Sequence, residues 1–215
     1  MDVYGGILSP YVARVILTAR HKGIKHKLKM PTGGLKSPEF LALNPMGKIP
    51  TIKDGSTVLY ESSVIVDYLE AKYKKKRIIP ASAKDAAKAR LIATVFSEYV
   101  QGPTLALFRQ RDPAKRDQKI VEEKLAEINR GLDVVEKLLS GKTWAAGAKF
   151  TIADVYAVPC WFFMGAMLPS FGMADPVGGR KKLTKYVAKV KKDKLTATIL
   201  AEMGEAMKSF NPGQR

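Results

Sequence analysis

The chain has 215 residues, 46% of them hydrophobic, and a formal net charge of +17 at neutral pH. This length suits one or two domains, and the apolar content excludes wholesale disorder. Cys160 is the single cysteine, which excludes an internal disulfide and fits a reducing compartment.

The positive charge admits nucleic acid, a membrane surface or anionic substrates as partners. The lysines between positions 181 and 192 alternate with apolar residues at helical spacing, which is typical of an amphipathic helix with a solvated basic side. No nucleic-acid motif is present, and no apolar run approaches the ~18 residues of a membrane span. We therefore expect no nucleic-acid partner, no membrane partner and, since His and Cys are scarce, no metal site.

The first elements predicted are two short strands, residues 2–5 and 26–30, on either side of a helix that begins after Ser9-Pro10 and stops at Gly23. A short helix follows Ser37-Pro38. Two β-prone runs come next in the chain.

The runs 49–53 and 57–60 flank Asp54-Gly55, which is a two-residue hairpin signal because both turn positions favour φ > 0. Ser62 or Ser63 then serves as the N-cap of a helix, with Glu61 as a less favoured cap. The complete order is β-α-β-α-β-β-α, which is thioredoxin-like.

After a basic linker broken by Pro80, the pattern is helical to the end. Residues 84–108 predict one long helix kinked at Gly102-Pro103, and residues 116–139 predict a second helix. Thr151 and Asp154 then stand three apart before an apolar run, which predicts an N-capping box with Asp in place of Glu.

The stretch Asn44-Pro-Met-Gly-Lys-Ile-Pro50, followed by a hairpin and Glu61-Ser62 at a helix start, resembles the glutathione-binding domain of cytosolic glutathione transferases. In that family the proline is cis, and the residue before it pairs with the backbone of glutathione's cysteine. The Glu-Ser pair holds the γ-glutamyl carboxylate. The resemblance places Ile49, Pro50, Glu61 and Ser62 in the glutathione site, although the residues alone favour a trans Ile49-Pro50 bond.

The Thr151–Asp154 segment resembles the capping box of the helical domain in the same family, so the resemblance covers nearly the whole chain. It implies an α/β thioredoxin-like N-terminal domain over residues 1–77, a linker over 78–85 and an all-α C-terminal domain over 86–215.

Leu8-Ser9-Pro10-Tyr11 resembles the serine-type plant phi and tau classes, in which a serine at this point activates the glutathione thiol. The resemblance assigns catalysis to Ser9, while a bare N-cap is the plain structural interpretation of the same residue. Tyr4 is the rival, because other classes use a tyrosine in the first strand; a packed strand tyrosine is the favoured interpretation.

Lys36 and Lys48 are candidates for the glycine carboxylate of glutathione, with a solvated lysine as the alternative for each. The resemblance predicts an electrophile pocket between the domains, with Leu8, Tyr11 and Phe108 as lining residues. Ordinary packing explains Leu8 and Phe108 equally well.

The function implied by the resemblance is conjugation of glutathione to hydrophobic electrophiles, with a glutathione peroxidase side activity. Glutathione is a co-substrate, and no cofactor is expected. A homodimeric, cytoplasmic detoxification enzyme is expected, and the N-terminus shows no secretory signal. The alternatives are a non-catalytic scaffold domain, as in a subunit of a translation elongation factor complex, and a carrier of hydrophobic ligands.

Overall fold

A computed structural model describes residues 1–210. The chain divides into two compact units, one formed by Met1–Arg77 with the residues from Lys194 onward, and the other by Ile78–Asp193. The grouping of the last helix with the N-terminal unit differs from the boundaries drawn from the sequence, which assigned residues 86–215 to one helical domain.

The N-terminal unit follows the element order β-α-β-α-β-β-α, which confirms the prediction. Its elements are β1 (Asp2–Tyr4), α1 (Pro10–Lys22), β2 (Lys27–Lys29), α2 (Pro38–Leu43), β3 (Thr51–Asp54), β4 (Thr57–Tyr60) and α3 (Ser62–Lys72). The sheet order is β2-β1-β3-β4. Strands β1 and β2 are parallel, as a helical crossover requires, and the other two pairings are antiparallel.

The hairpin turn lies one residue later than predicted. Asp54 pairs with Thr57 across the ladder, so the turn residues are Gly55, with φ 66°, and Ser56. Asp54 ends β3 because α3 holds its carboxylate: Oδ2 accepts from Tyr68 Oη at 3.0 Å and from Lys72 Nζ at 2.7 Å. The Lys72 ammonium lowers the pKa of the Asp54 carboxyl.

A buried ion pair joins α1 to α3. Lys22 Nζ donates to Glu70 Oε2 at 2.6 Å, and their side chains are 0% and 9% exposed. The same ammonium donates to the carbonyls of Lys75 and Lys76 at 3.2 and 3.5 Å. Lys22 therefore holds the chain segment that follows α3. From the sequence alone, this segment is recognisable only as a basic run.

The last helix, α9 (Lys194–Lys208), packs on α1. Arg20 on α1 makes a bidentate pair with Glu202, at 2.8 and 2.9 Å. Since both oxygens are engaged by one guanidinium, this contact fixes the helix in orientation as well as position. Sequence periodicity does not report such a long-range partner.

The second unit is helical. Its elements are α4 (Ala83–Thr94), a π-helical segment (Val95–Gln101), α5 (Gly102–Ala106), the 3₁₀ turns Leu107–Gln110 and Pro113–Lys115, α6 (Gln118–Leu138), α7 (Ile152–Met167), the 3₁₀ turn Leu168–Phe171, and α8 (Lys181–Lys192).

The predicted long helix over 84–108 is a succession of helical types. Pro103 has no N–H for the carbonyl of Tyr99, and the preceding turn widens so that Gly102 N bonds to Ser97 O. The backbone of α6 approaches at this point: a Cβ on Gly131 would lie 2.5 Å from Tyr99 O. A glycine is therefore required where the two helices meet.

Helix α7 begins with the predicted N-capping box, which is confirmed. Asp154 Oδ2 accepts from Thr151 N at 2.8 Å, and Oδ1 accepts from Ala145 N at 3.0 Å. Burial is the largest influence on this carboxyl and raises its pKa to about 6, although these donors act in the opposite direction. The box thus ties the preceding loop to the helix.

The segment Ile152–Phe171 is long and apolar enough to cross a membrane, contrary to the expectation from the sequence. It lies mostly inside the protein, with 72% of its most apolar window buried. A helix in the core of a protein is apolar on every side because apolar neighbours surround it, as lipid surrounds a membrane helix. This segment is therefore weak evidence for membrane insertion.

Candidate active site

Strand register brings the candidate residues to one end of the sheet. Thr51 at the start of β3 pairs with Tyr4 at the end of β1 and with Tyr60 at the end of β4. The loop to Ser9, the Ile49-Pro50 bond and the Glu61-Ser62 pair therefore leave the sheet at the same end. Three sequence motifs, spread over more than fifty residues of the chain, meet there.

Ser9 is the N-cap of α1, with an extended backbone at φ −64° and ψ 124°. Its Oγ accepts from Val12 N at 3.4 Å, and Pro10 occupies the first helical position. Within residues 1–210, no group accepts the proton of the Ser9 hydroxyl. The hydroxyl is half-buried, so it can donate to a bound ligand while it caps the helix.

The Ile49-Pro50 bond is cis, as the family resemblance implied and contrary to the preference of the residues alone. Pro50 is buried, while Ile49 is half-buried and Lys48 exposed. The Lys48 carbonyl accepts from Asn44 Nδ2 at 2.8 Å and from Thr51 Oγ1 at 3.2 Å. The backbone of this loop is thus held from inside while the Lys48 side chain faces solvent.

Asn44 is the residue that organises the loop, and the sequence interpretation treated it only as a turn marker. It is 1% exposed, and its amide also donates to Thr51 Oγ1 at 3.0 Å and accepts from Met46 N at 3.0 Å. Asn side chains commonly bond to the backbone two residues on, so the Asn-Pro-x-Gly pattern carried a detectable signal for this role.

Two glycines let neighbouring segments approach the loop. A Cβ on Gly5, whose φ is 143°, would lie 2.6 Å from Val12 Cγ2 and 3.1 Å from Ile49 Cβ. A Cβ on Gly47, whose φ is 59°, would lie 3.0 Å from Lys36 Nζ. Gly5 therefore lets the side chains of Val12 and Ile49 lie close to its backbone, and Gly47 leaves room for the Lys36 ammonium beside the loop.

The N-cap of α3 is not Ser62 or Ser63, as predicted, but Glu61, the less favoured alternative. Glu61 occupies the cap position with φ 66° and makes no side-chain cap bond, and Ser62 is the first helical residue. A positive φ at a non-glycine residue is strained and characteristic of functional sites. Neither side chain has a hydrogen-bond partner among residues 1–210, so the amides and hydroxyl at this helix start can receive an anion.

The remaining candidates are Tyr4, Leu8, Tyr11 and Phe108. Tyr4 packs its ring against Phe40 at 5.9 Å and lies under Lys29 Nζ at 4.8 Å, as a packed strand tyrosine would. Leu8 is half-buried and Tyr11 is exposed in the N-terminal unit. Phe108 belongs to the helical unit, where the Arg111 guanidinium lies 4.4 Å from its ring centroid.

Family models match both parts of the chain: the N-terminal domain of glutathione S-transferase over residues 3–77 and its C-terminal domain over residues 92–192. The chain is 34% identical over 186 residues to Glutathione S-transferase 3 of Zea mays. The aligned region covers 82% of this chain and 80% of that protein. The chain belongs to the glutathione S-transferase family. It is an enzyme of the transferase class, phi/tau-like in type.

Other comparisons agree. The glutathione S-transferase family member F13 of Arabidopsis thaliana is 31% identical over 177 residues, covering 76% of this chain and 80% of that protein. The solved structure of glutathione S-transferase III in its apo form has a TM-score of 0.77 at 30% identity, covering 93% of this chain and 95% of that one. Glutathione transferase F7 of Populus trichocarpa shares the fold, with a TM-score of 0.80 at 24% identity over 94% of this chain and 98% of that one.

The described residues of this transferase contain no group of three or more His, Cys, Asp or Glu side chains placed to hold a metal ion. The site built from Ser9, the Ile49 loop and the start of α3 instead offers hydroxyls, backbone groups and lysines. This donor set suits a ligand with carboxylates and a peptide backbone.

Proposed function

We propose that this transferase joins the thiolate of glutathione to hydrophobic electrophiles to form a thioether. The observation that carries the proposal is Ser9, which caps α1 with its oxygen and keeps its proton available. The family assignment supplies glutathione as the co-substrate.

Ser9 can activate the thiol without a general base. A free thiol with a pKa of ~8.5 is only a few per cent ionised at neutral pH. Lowering that pKa by ~2 units requires about 2.7 kcal/mol of thiolate stabilisation. A hydrogen bond to the charged sulfur supplies roughly 1.5–3 kcal/mol, and the N-terminus of α1 adds ~0.3–1 kcal/mol.

The rest of glutathione binds around this point. The γ-glutamyl carboxylate lies at the start of α3 with Ser62 and Glu61, and the cysteine backbone pairs with Ile49 beside Pro50. Lys36 and Lys48 attract the glycine carboxylate. The close approach of Lys36 to Gly47 supports its part in this set. Leu8, Tyr11 and Phe108 are the proposed contacts of the electrophile.

The enzyme acts as a cytoplasmic homodimer in detoxification, and it reduces hydroperoxides with glutathione as a side activity. Exposed apolar side chains at Leu91, Tyr99 and Val134 support self-association, and the last two line a cleft of about 530 Å³ on the helical unit. Light scattering should give a mass near twice the 23.7 kDa of one chain. A mass of one chain at working concentration would contradict the dimer.

The test of catalysis compares Ser9→Ala with Ser82→Ala. Ser82 caps α4 through the same kind of bond, from Asp85 N at 3.4 Å, so it reproduces the loss of a cap outside the glutathione site. Each change should lower the free energy of unfolding by about 0.5–2 kcal/mol. Only Ser9→Ala should lower kcat at neutral pH, with partial recovery at higher pH and little change in the affinity for glutathione.

Two results would overturn parts of this proposal. An unchanged pH profile in folded Ser9→Ala would remove Ser9 from the mechanism and transfer the role to Tyr4. Failure of the natural protein both to bind a glutathione column and to conjugate any thiol acceptor would favour a scaffold or ligand carrier instead.

A further inference from the structure

The outward face of α8 is strongly basic. Six of the twelve residues of Lys181–Lys192 are lysines, and none is acidic. The buried side of the helix is formed by Leu183, Tyr186, Val187 and Val190. The helix is therefore anchored by one apolar face, and its opposite face carries charge only of one sign.

Three lysines share the centre of that exposed face. At about 100° per residue, positions 181, 185 and 192 fall within roughly 40° of one another, directly opposite the buried stripe. All three are exposed, as is Lys191 at the edge of the face. Over twelve residues the helix is about 18 Å long, so the charges form a straight row.

The other two lysines of α8, Lys182 and Lys189, make contacts within the fold. Lys182 Nζ donates to Leu139 O at 3.0 Å, and Lys189 pairs with Asp193 at 3.1 Å and lies 4.8 Å from the Trp144 ring centroid. In the described part of the chain, the side chains of the four lysines at positions 181, 185, 191 and 192 have no ion pair or hydrogen bond.

The position of Lys181 also opposes helix stability. A cation at a helix N-terminus is unfavourable, because that end carries partial positive charge. The free N–H groups at this end are bound by a carboxylate of α6: Glu136 accepts from Lys182 N and Leu183 N, at 2.9 Å each. A charge that neither pairs nor favours its helix indicates a role outside the fold.

We propose that this face, defined as Lys181, Lys185, Lys191 and Lys192, is a docking surface for an anionic lipid bilayer. A straight row of lysines matches a plane of negative headgroups, each lysine acting as a compact point charge. Nucleic acid is the weaker match, because the face has no aromatic side chain for base stacking and no arginine for paired contacts. Arg180, just before the helix, is already bound to Asp133 at 2.7 Å. The proposal departs from the expectation of a solvated face without a partner.

The test is sedimentation of the full chain with vesicles of phosphatidylcholine, with or without about a third of phosphatidylserine. The natural protein should bind only the anionic vesicles and should dissociate at high salt, where the Debye length falls to about 3 Å. The triple variant Lys181→Gln, Lys185→Gln and Lys192→Gln should weaken the partition coefficient on the order of 100-fold, since each lysine near such a surface contributes about fivefold.

A matched variant separates this face from the general charge of the protein. Lys25→Gln, Lys84→Gln and Lys119→Gln remove the same charge from exposed positions elsewhere and should lower binding severalfold at most. Both triple variants should keep the thermal midpoint and the glutathione-conjugating activity of the natural protein.

Equal losses in the two variants would overturn the proposal, because binding would then depend on total charge alone. So would an absence of binding to anionic vesicles by the natural protein. Duplex DNA that binds through the α8 face more tightly than the vesicles would replace the lipid surface with nucleic acid.

Discussion

Substitution of Asn44 by alanine should remove the internal support of the loop over residues 44–50, which the proposed function places against glutathione. It removes no side chain that the proposal assigns to glutathione. The side chain is buried and makes three hydrogen bonds, to Lys48 O, Thr51 Oγ1 and Met46 N. Alanine removes all three and leaves the polypeptide between α2 and β3 without its internal support.

The magnitude follows from these bonds. Each contributes a net ~0.5–1.5 kcal/mol, but the Lys48 carbonyl keeps its second donor, Thr51 Oγ1 at 3.2 Å. The expected loss in the free energy of unfolding is therefore about 2–3 kcal/mol. A looser Ile49 loop should weaken glutathione binding by roughly tenfold, equivalent to about 1.4 kcal/mol, with kcat changed by about twofold at most.

The measurements are urea unfolding and the steady-state KM for glutathione, with direct binding by calorimetry. Leu69→Ala on α3 is the control, because Leu69 is fully buried in a different element and truncation of a buried leucine costs a comparable ~2–5 kcal/mol. An unchanged KM in Asn44→Ala, or an equal rise of KM in Leu69→Ala, would contradict a supporting role of Asn44 in this loop.

Two further predictions concern buried charges. Lys22→Met should cost about 3–5 kcal/mol in urea unfolding, because it removes the ammonium that lies 2.6 Å from the buried Glu70 carboxylate. The added change Glu70→Leu should restore most of the loss. A double variant no more stable than the single one would contradict this. Burial raises the pKa of Asp154 to about 6 from 3.8 unfolded, so the folded state holds this proton more tightly. The contribution of Asp154 to the free energy of unfolding is therefore greatest below about pH 4, and about 3 kcal/mol of it is lost as the pH rises through 6. Asp154→Asn should abolish this pH dependence. If the free energy of unfolding of the natural protein and of Asp154→Asn changed in parallel with pH, the prediction would be wrong.

The sequence alone determined the features that depend on neighbours along the chain. Ser9-Pro10 specifies a helix start because a hydroxyl cap and a fixed proline φ act within one turn, and Thr151 with Asp154 forms its box for the same reason. The order of strands and helices in the N-terminal unit followed from such local signals. The motif around Ile49 and Ser62 indicated the site through its resemblance to a family.

Features that depend on distant partners could not be predicted from the sequence and required the three-dimensional structure. The turn moved to Gly55-Ser56 because α3 holds Asp54, and α9 joined the N-terminal unit, where Arg20 binds Glu202. The role of Asn44 depends on the burial of its amide, which bonds to Lys48 O and Met46 N within the folded loop. A periodic pattern reports which face of an element is buried, but not the atom on another element that meets it, because that choice depends on packing across the whole unit.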